Sequence, residues 1–83
     1  MNAQHLIQMA NQIGSFFESY PDRVEACGEI ANHIQKFWAP RMRIVLLDHL
    51  TGEAGGEGLS AIVLEALRTH RARLEPQKRA SAT

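Results

Sequence analysis

The chain has 83 residues, of which 45% are hydrophobic, and nine Lys and Arg residues balance nine Asp and Glu residues. This length predicts one small domain, and the composition argues against both a disordered protein and a strongly basic nucleic-acid-binding protein. A single cysteine permits no internal disulfide and indicates a reducing compartment, and neither an export signal nor a membrane-length apolar run is present, so we expect a cytoplasmic protein.

The first predicted element is an amphipathic helix from residue 2 or 3 to about residue 19. Its apolar residues recur every three or four positions and so describe one helical face. They are Leu6, Ile7, Met9, Ala10, Ile13, Phe16, Phe17 and Tyr20. Gly14 lies at the edge of this face and costs a helix about 1 kcal/mol relative to alanine. We therefore predict that Gly14 lets another helix approach closely.

A second helix is predicted to begin at Arg23, because Asp22 before it is a favourable N-cap. Its apolar seam comprises Val24, Cys27, Ala31, Ile34 and Trp38, widened by Ile30 and Phe37. Pro40 lacks an amide hydrogen and disfavours helical geometry at the residue before it. The second helix should therefore end near Trp38 or Ala39, with Pro40 as the first residue of a third helix.

The third predicted helix has an unusually wide apolar face. Met42, Val45, Leu46 and Leu50 form this face, and Ile44 and Leu47 broaden it. Such width indicates that a second surface covers the helix. Gly52 is predicted as a left-handed C-cap, and residues 52–58 contain too many glycines for regular structure. This segment is expected to be either a flexible connector or a loop that orders against a partner.

A fourth helix is predicted after Ser60, which we expect to cap it, and it should extend to Leu74, where Glu75 and Pro76 stop it. Its inner side carries Ile62, Val63, Ala66, Leu67 and His70. The fold class is thus predicted to be all-α, a compact bundle of about four short helices. We expect residues 1–75 to form a single helical domain and residues 76–83 to form a disordered basic C-terminal tail.

Candidate groups for catalysis or metal binding are few and poorly spaced. The soft ligands are Cys27, His5, His33, His49 and His70, and no two histidines are three or four residues apart. A Cys–His nucleophilic pair would lack a third group and a glycine-rich oxyanion turn near the cysteine. The glycine-rich segment matches no phosphate-binding pattern, and its two glutamates would repel a phosphate. We therefore expect no catalytic, cofactor-binding or metal-binding residues.

Residues 36–43 (KFWAPRMR), here called the corner segment, contain the only tryptophan together with a proline and two arginines. Trp, Arg and Met are enriched where proteins meet, although a core tryptophan beside solvated arginines would also explain the pattern. A helix-turn-helix DNA reader is disfavoured because the third helix continues with apolar residues. We predict a partner interface formed by two groups of residues. They are Trp38, Pro40, Arg41, Met42 and Arg43, and Gly55, Gly56, Glu57 and Gly58.

Four segments also occur in the order and spacing of a known family: residues 9–14 (MANQIG) with Phe16 and Phe17, residues 20–23 (YPDR), the corner segment, and residues 55–59 (GGEGL). Together they resemble the delta subunit of the soluble, NAD-dependent, molybdenum-containing formate dehydrogenase. The similarity extends to about Arg68. The basic residues after Leu74 match nothing in this pattern.

The resemblance implies a bacterial cytoplasmic subunit that binds no cofactor of its own and accompanies larger subunits carrying molybdenum, iron–sulfur and flavin centres. We accordingly expect an accessory subunit without activity of its own, whose partner is the large, molybdenum-binding subunit of formate dehydrogenase, with no nucleic acid and no membrane involved. Two alternatives remain open: a transient assembly chaperone that acts while the molybdenum cofactor is inserted, and self-association of the isolated chain.

Overall fold

The structure, a computed structural model, describes residues 2–76. Five α-helices follow one another along the chain: α1 (Ala3–Phe17), α2 (Arg23–Phe37), α3 (Pro40–Thr51), α4 (Ala61–Thr69) and α5 (Arg71–Leu74). No strand occurs within these residues, so the predicted all-α fold is confirmed. Of the predicted tail, residues 77–83 lie outside the described residues, and Pro76 is buried.

The helix starts follow from local chemistry. The Asn2 side chain accepts a hydrogen bond from the Gln4 amide and caps α1, and Asp22 accepts from the amides of Val24 and Glu25 at the start of α2. These bonds satisfy amides that have no partner within the helix. Pro40 is the first residue of α3, as predicted. Helix α1 ends at Phe17, two residues before its predicted end at residue 19.

The core is centred on α2, which packs against α1, α4 and α5. Its largest fully buried side chains come from α2, α3, α4 and α5: Ile30, Ile34, Leu46, Leu47, Ile62, Val63, Leu67 and Leu74. The prediction for Gly14 is confirmed, because a Cβ atom placed there would lie 2.5 Å from Cγ2 of Val63. The missing side chain therefore lets α1 and α4 pack together.

Two residues assigned to the apolar seam of α2 lie outside the core. Val24 is 78% exposed and Phe37 is 72% exposed. Val24 is the second residue of α2 and precedes Ala26, the first buried residue of this helix, by two positions. Phe37 is the last residue of α2, where the chain turns away into the corner segment. Both predictions of burial were therefore wrong.

The fourth predicted helix is divided in two. His70 has φ −110° and ψ 22°, which ends α4 and separates it from the short helix α5. The predicted side-chain cap is also wrong, since the Ser60 hydroxyl makes no capping hydrogen bond and its Oγ atom is buried without a partner. The Ser60 amide instead donates to Oδ1 of Asn11 at 2.9 Å. The start of α4 is thus positioned by α1.

Candidate protein-interaction site

The corner segment brings Trp38 into the core while leaving its neighbours outside. Trp38 and Ala39 are extended between α2 and α3, and the Trp38 amide still donates to the carbonyl oxygen of Ile34. The Trp38 side chain is only 5% exposed, whereas Ala39 and Pro40 are exposed. Met42 is half-buried against the core. Trp38 is therefore a core residue that also forms part of a surface groove described below.

The cations of the corner segment have different surroundings. Lys36 and Arg41 are exposed, and within residues 2–76 neither makes an ion pair or a side-chain hydrogen bond. Arg43 is half-buried, and its Nε atom is buried without a hydrogen-bond partner. It precedes Leu46 and Leu47 by three and four residues, so it shares the core-facing side of α3. Of the two arginines in the corner segment, Arg41 is therefore the one with an exposed side chain.

An apolar groove of about 480 Å³, here called the aromatic groove, lies between α1 and α2. It is lined by Met9, Gln12, Ile13, Phe16, Phe17, His33 and Trp38. Phe16 is 68% exposed, and its ring meets that of Phe17 edge-on at a centroid distance of 4.9 Å. The His33 ring lies 4.8 Å from that of Phe37, which extends the aromatic surface to the end of α2. The corner segment therefore adjoins an exposed aromatic surface.

The glycine-rich loop between α3 and α4 is held by this chain itself. Backbone bonds close successive turns, including the Gly56 amide to the His49 carbonyl at 3.1 Å, and Nε2 of His49 lies 2.8 Å from the carbonyl oxygen of Glu57. Nδ2 of Asn11 donates to the Gly58 carbonyl at 2.9 Å. These bonds connect the loop to α1 and α3.

The backbone conformation of the loop requires glycine at three positions. Gly55, Gly56 and Gly58 have φ values of 58°, 81° and 92°, in the left-handed region that other residues rarely adopt. Gly56 is buried, and a Cβ atom there would lie 2.5 Å from Cδ2 of Leu64. The predicted left-handed cap at Gly52 is wrong, because that residue is extended with φ −81° and ψ −167°. The left-handed turns come three to six residues later.

The structure does not bring the corner segment and the glycine-rich loop into one site. The loop borders a separate cleft whose α1 residues include Ile7 and Asn11, whereas the aromatic groove uses Met9, Ile13 and Phe16. At about 100° per residue, these two sets lie on opposite flanks of α1. The nine residues predicted as one interface therefore belong to two surfaces.

The groups considered for chemistry are dispersed. No group of three or more His, Cys, Asp and Glu side chains suited to a metal ion occurs within residues 2–76. Cys27 is buried, and its Sγ atom lies 3.9 Å from the Ile62 carbonyl oxygen. Burial raises the pKa of the Cys27 thiol from its ordinary 9.0, the Glu65 carboxylate raises it further, and Arg23, which pairs with Glu65 at 2.9 Å, opposes the rise.

The sequence analysis missed the residues that form most of the aromatic groove. Phe16 and Phe37 were assigned to the buried faces of α1 and α2, and His33 was treated only as a possible metal ligand. One signal was available: Phe16 lies about 120° around α1 from Ala10, at the margin of the apolar face. A large aromatic residue at such a margin is a candidate for a second contact surface.

None of the helices in the described part of the chain combines the length and apolar character that a membrane-spanning helix requires. Comparison with known proteins gives one family: the model of the NADH-dependent formate dehydrogenase delta subunit (FdsD) matches residues 5–67. This range begins in α1 and ends in α4, so it includes the corner segment and the glycine-rich loop. No curated protein and no solved structure matches the chain.

Proposed function

Because the chain belongs to the family of the NADH-dependent formate dehydrogenase delta subunit, we propose that it is a non-catalytic accessory subunit of such a complex. In this proposal it binds the large, molybdenum-containing subunit and stabilises it or assists its assembly. The complex oxidises formate and reduces NAD in the cytoplasm, and this chain contributes binding energy rather than a reacting group. The family match over residues 5–67 is the observation that carries the proposal.

The surface chemistry of the chain supports a role in protein binding. Aromatic residues and arginine are the residue types that contribute most to protein interfaces, and here they are exposed aromatic side chains and an arginine without an ion-pair partner among residues 2–76. Phe16, Phe37 and Arg41 supply them on or beside the corner segment. We therefore propose this side of the molecule as the main contact with the large subunit. The exposed side of the loop, at Gly55 and Glu57, is proposed as a secondary contact.

Affinity purification of the tagged chain from its native host tests the proposal. We expect the subunits of formate dehydrogenase to be recovered with it in fixed stoichiometry and with formate-dependent NAD reduction. A transient chaperone would instead be recovered with a large subunit that lacks its cofactor, and it would be absent from the active enzyme. Recovery of the tagged chain without any formate dehydrogenase subunit would contradict both roles.

A second measurement tests the absence of intrinsic activity. The purified chain alone should give no formate-dependent NAD reduction, and adding it to enzyme lacking this subunit should increase the activity or its half-life. The matched control is a heat-unfolded sample of the same chain. Activity from the isolated chain after removal of contaminating large subunit would show that it is more than an accessory subunit.

A further inference from the structure

We propose that the aromatic groove binds an amphipathic helix of the large subunit, whose acidic residues lie against Lys36 and Arg41. The inference rests on the proposed function and specifies the chemistry of the partner. It concerns the flank of α1 that faces away from the glycine-rich loop.

The apolar part of this inference comes from the exposed aromatic residues. The described residues include three exposed large hydrophobic side chains, and two of them, Phe16 and Phe37, border the aromatic groove. A single exposed hydrophobic residue is ordinary on a protein surface, but a contiguous aromatic patch beside an apolar groove is typical of a contact surface. The third such residue, Val24, lies on the opposite side of α2 from His33.

The dimensions of the groove favour a helix. Its lining residues on α1 run from Met9 to Phe17, which is slightly more than two helical turns or about 12 Å along the axis. Two turns of a partner helix would present apolar side chains at spacings of three, four and seven residues to a surface of this length. Met9 and Ile13 supply an apolar wall, and the flexible thioether of Met9 can adapt to the shape of an inserted side chain.

The charges beside the groove define the polarity of its partner. Lys36 and Arg41 lie within three residues of Trp38 and have no acidic partner among residues 2–76. Glu29, one turn before His33 on α2, is the acidic residue on the same flank. A partner helix with carboxylates at the end near Trp38 would therefore complement the cations and keep its own acidic residues away from Glu29.

The sequence of this chain argues against its own C-terminal segment as the occupant. Residues 77–83 (QKRASAT) contain two cations and no apolar side chain larger than alanine. Such a segment would neither fill an apolar groove nor complement the positive charge of Arg41.

Binding of the purified chain to formate dehydrogenase that lacks this subunit tests the inference. The groove variants are Phe16→Ser and Phe37→Ser, and the matched control is Val24→Ser, which removes an equally exposed apolar side chain from the opposite side of α2. We expect each groove variant to bind at least about tenfold more weakly, as is typical of an aromatic interface residue, and the control to bind as wild type does. Thermal melting of each isolated variant should be close to that of wild type, since the replaced side chains are exposed.

The variant Arg41→Glu tests the electrostatic part of the inference, namely the attraction between the cations and an acidic partner helix. The control is Arg68→Glu, because Arg68 is an exposed arginine on α4. We expect Arg41→Glu to slow association severalfold at low salt and to reduce the salt dependence of the rate, with no change for Arg68→Glu. This variant leaves the aromatic residues in place, so it tests the inference even if a groove variant melts early.

Four outcomes separate the possibilities. Weak binding by the groove variants and by Arg41→Glu, with normal binding by both controls, supports the inference. Normal binding by all variants would overturn the groove as the contact while leaving the accessory role intact. Failure of the wild-type chain to bind would overturn the accessory role and the groove together. A wild-type dimer in sedimentation that Phe16→Ser and Phe37→Ser dissociate, with unchanged binding to the enzyme, would assign the groove to a second copy of this chain and overturn the inference.

Discussion

The contact between α1 and α4 at Gly14 allows a test of the fold with two substitutions of the same kind. In Gly14→Ala, the new Cβ atom would lie 2.5 Å from Cγ2 of Val63 and 3.3 Å from Cγ2 of Ile62. Both neighbours are β-branched residues of a helix, and such side chains are stiff at χ1. Gly28→Ala is the matched control, because a Cβ atom at that position on α2 meets nothing within 4 Å.

The expected magnitudes follow from two opposing terms. Alanine in place of glycine within a helix stabilises the folded state by about 0.5–1 kcal/mol, and this term applies at both positions. Overpacking of a filled core costs about 1–3 kcal/mol, and this term applies only at Gly14. The control should therefore be more stable than wild type, and the free energies of unfolding of the two variants should differ by about 1–3 kcal/mol.

Urea unfolding followed by the fluorescence of Trp38, the only tryptophan, measures both variants. In a domain of this size the difference corresponds to roughly 4–8 °C in melting temperature for each kcal/mol. Equal stabilisation of the two variants would refute the close approach of α1 to α4 at Gly14. A loss of stability in Gly28→Ala would refute the open space found around a Cβ atom at Gly28.

Three further predictions concern the loop, the corner segment and the thiol. Gly56→Ala places a side chain at positive φ against Leu64 and Leu50, and it should lower the free energy of unfolding by at least about 2 kcal/mol. Gly55→Ala, in open space, should lower it by only about 1 kcal/mol, and equal losses in urea unfolding would contradict the buried turn. Trp38→Ala should cost about 3–5 kcal/mol, measured by the circular dichroism of the helices, whereas Arg41→Ala should leave stability unchanged. Cys27 should react with a thiol reagent at pH 7 far more slowly than in urea-unfolded protein. The pKa of the Cys27 thiol is raised in the folded state, so the folded protein holds the thiol proton more tightly than the unfolded chain does. The protonated thiol therefore stabilises the fold at pH values below its ordinary pKa of 9.0, and this stabilisation should be lost as the pH rises through the raised pKa of the folded state.

The helix starts were predictable because their determinants lie within a few residues of each other. Asp22 bonds to amides two and three residues later, and Pro40 fixes its own φ at the first position of α3. The role of Gly14 was also predictable, since a glycine destabilises a helix and its presence on an apolar face indicates a closely packed neighbour. Local signals of this kind do not depend on how the helices cross.

The loop between α3 and α4 could not be predicted because its determinants are distant in sequence. Asn11 lies 47 residues from Gly58 and 49 from Ser60, yet its side-chain amide bonds to both. Composition revealed that the segment contains many glycines but not which of them adopt positive φ. The same long-range contact involves the Ser60 amide, whereas the Ser60 hydroxyl makes no capping hydrogen bond on α4.

The predicted burial of Phe37 was wrong for a different reason. Periodicity assigns a residue to a side of its helix, but it does not reveal how far along the helix the neighbouring elements extend. Phe37 lies on the side of α2 that faces the core, yet it is 72% exposed because it is the last residue of the helix. Trp38, one residue later, returns to the core through an extended backbone. The aromatic groove exists because of this change of direction.

Helix α1 links the stability of the fold to the surface proposed for binding. One flank of α1, with Ile7 and Asn11, contacts the glycine-rich loop. Gly14, which faces the core, contacts α4. Helices α2 and α3 also pack against α1, and its flank with Met9, Ile13 and Phe16 lines the aromatic groove. The contacts with the loop and with α4 hold α1 so that Met9, Ile13 and Phe16 lie beside α2, at the surface proposed above for a partner helix.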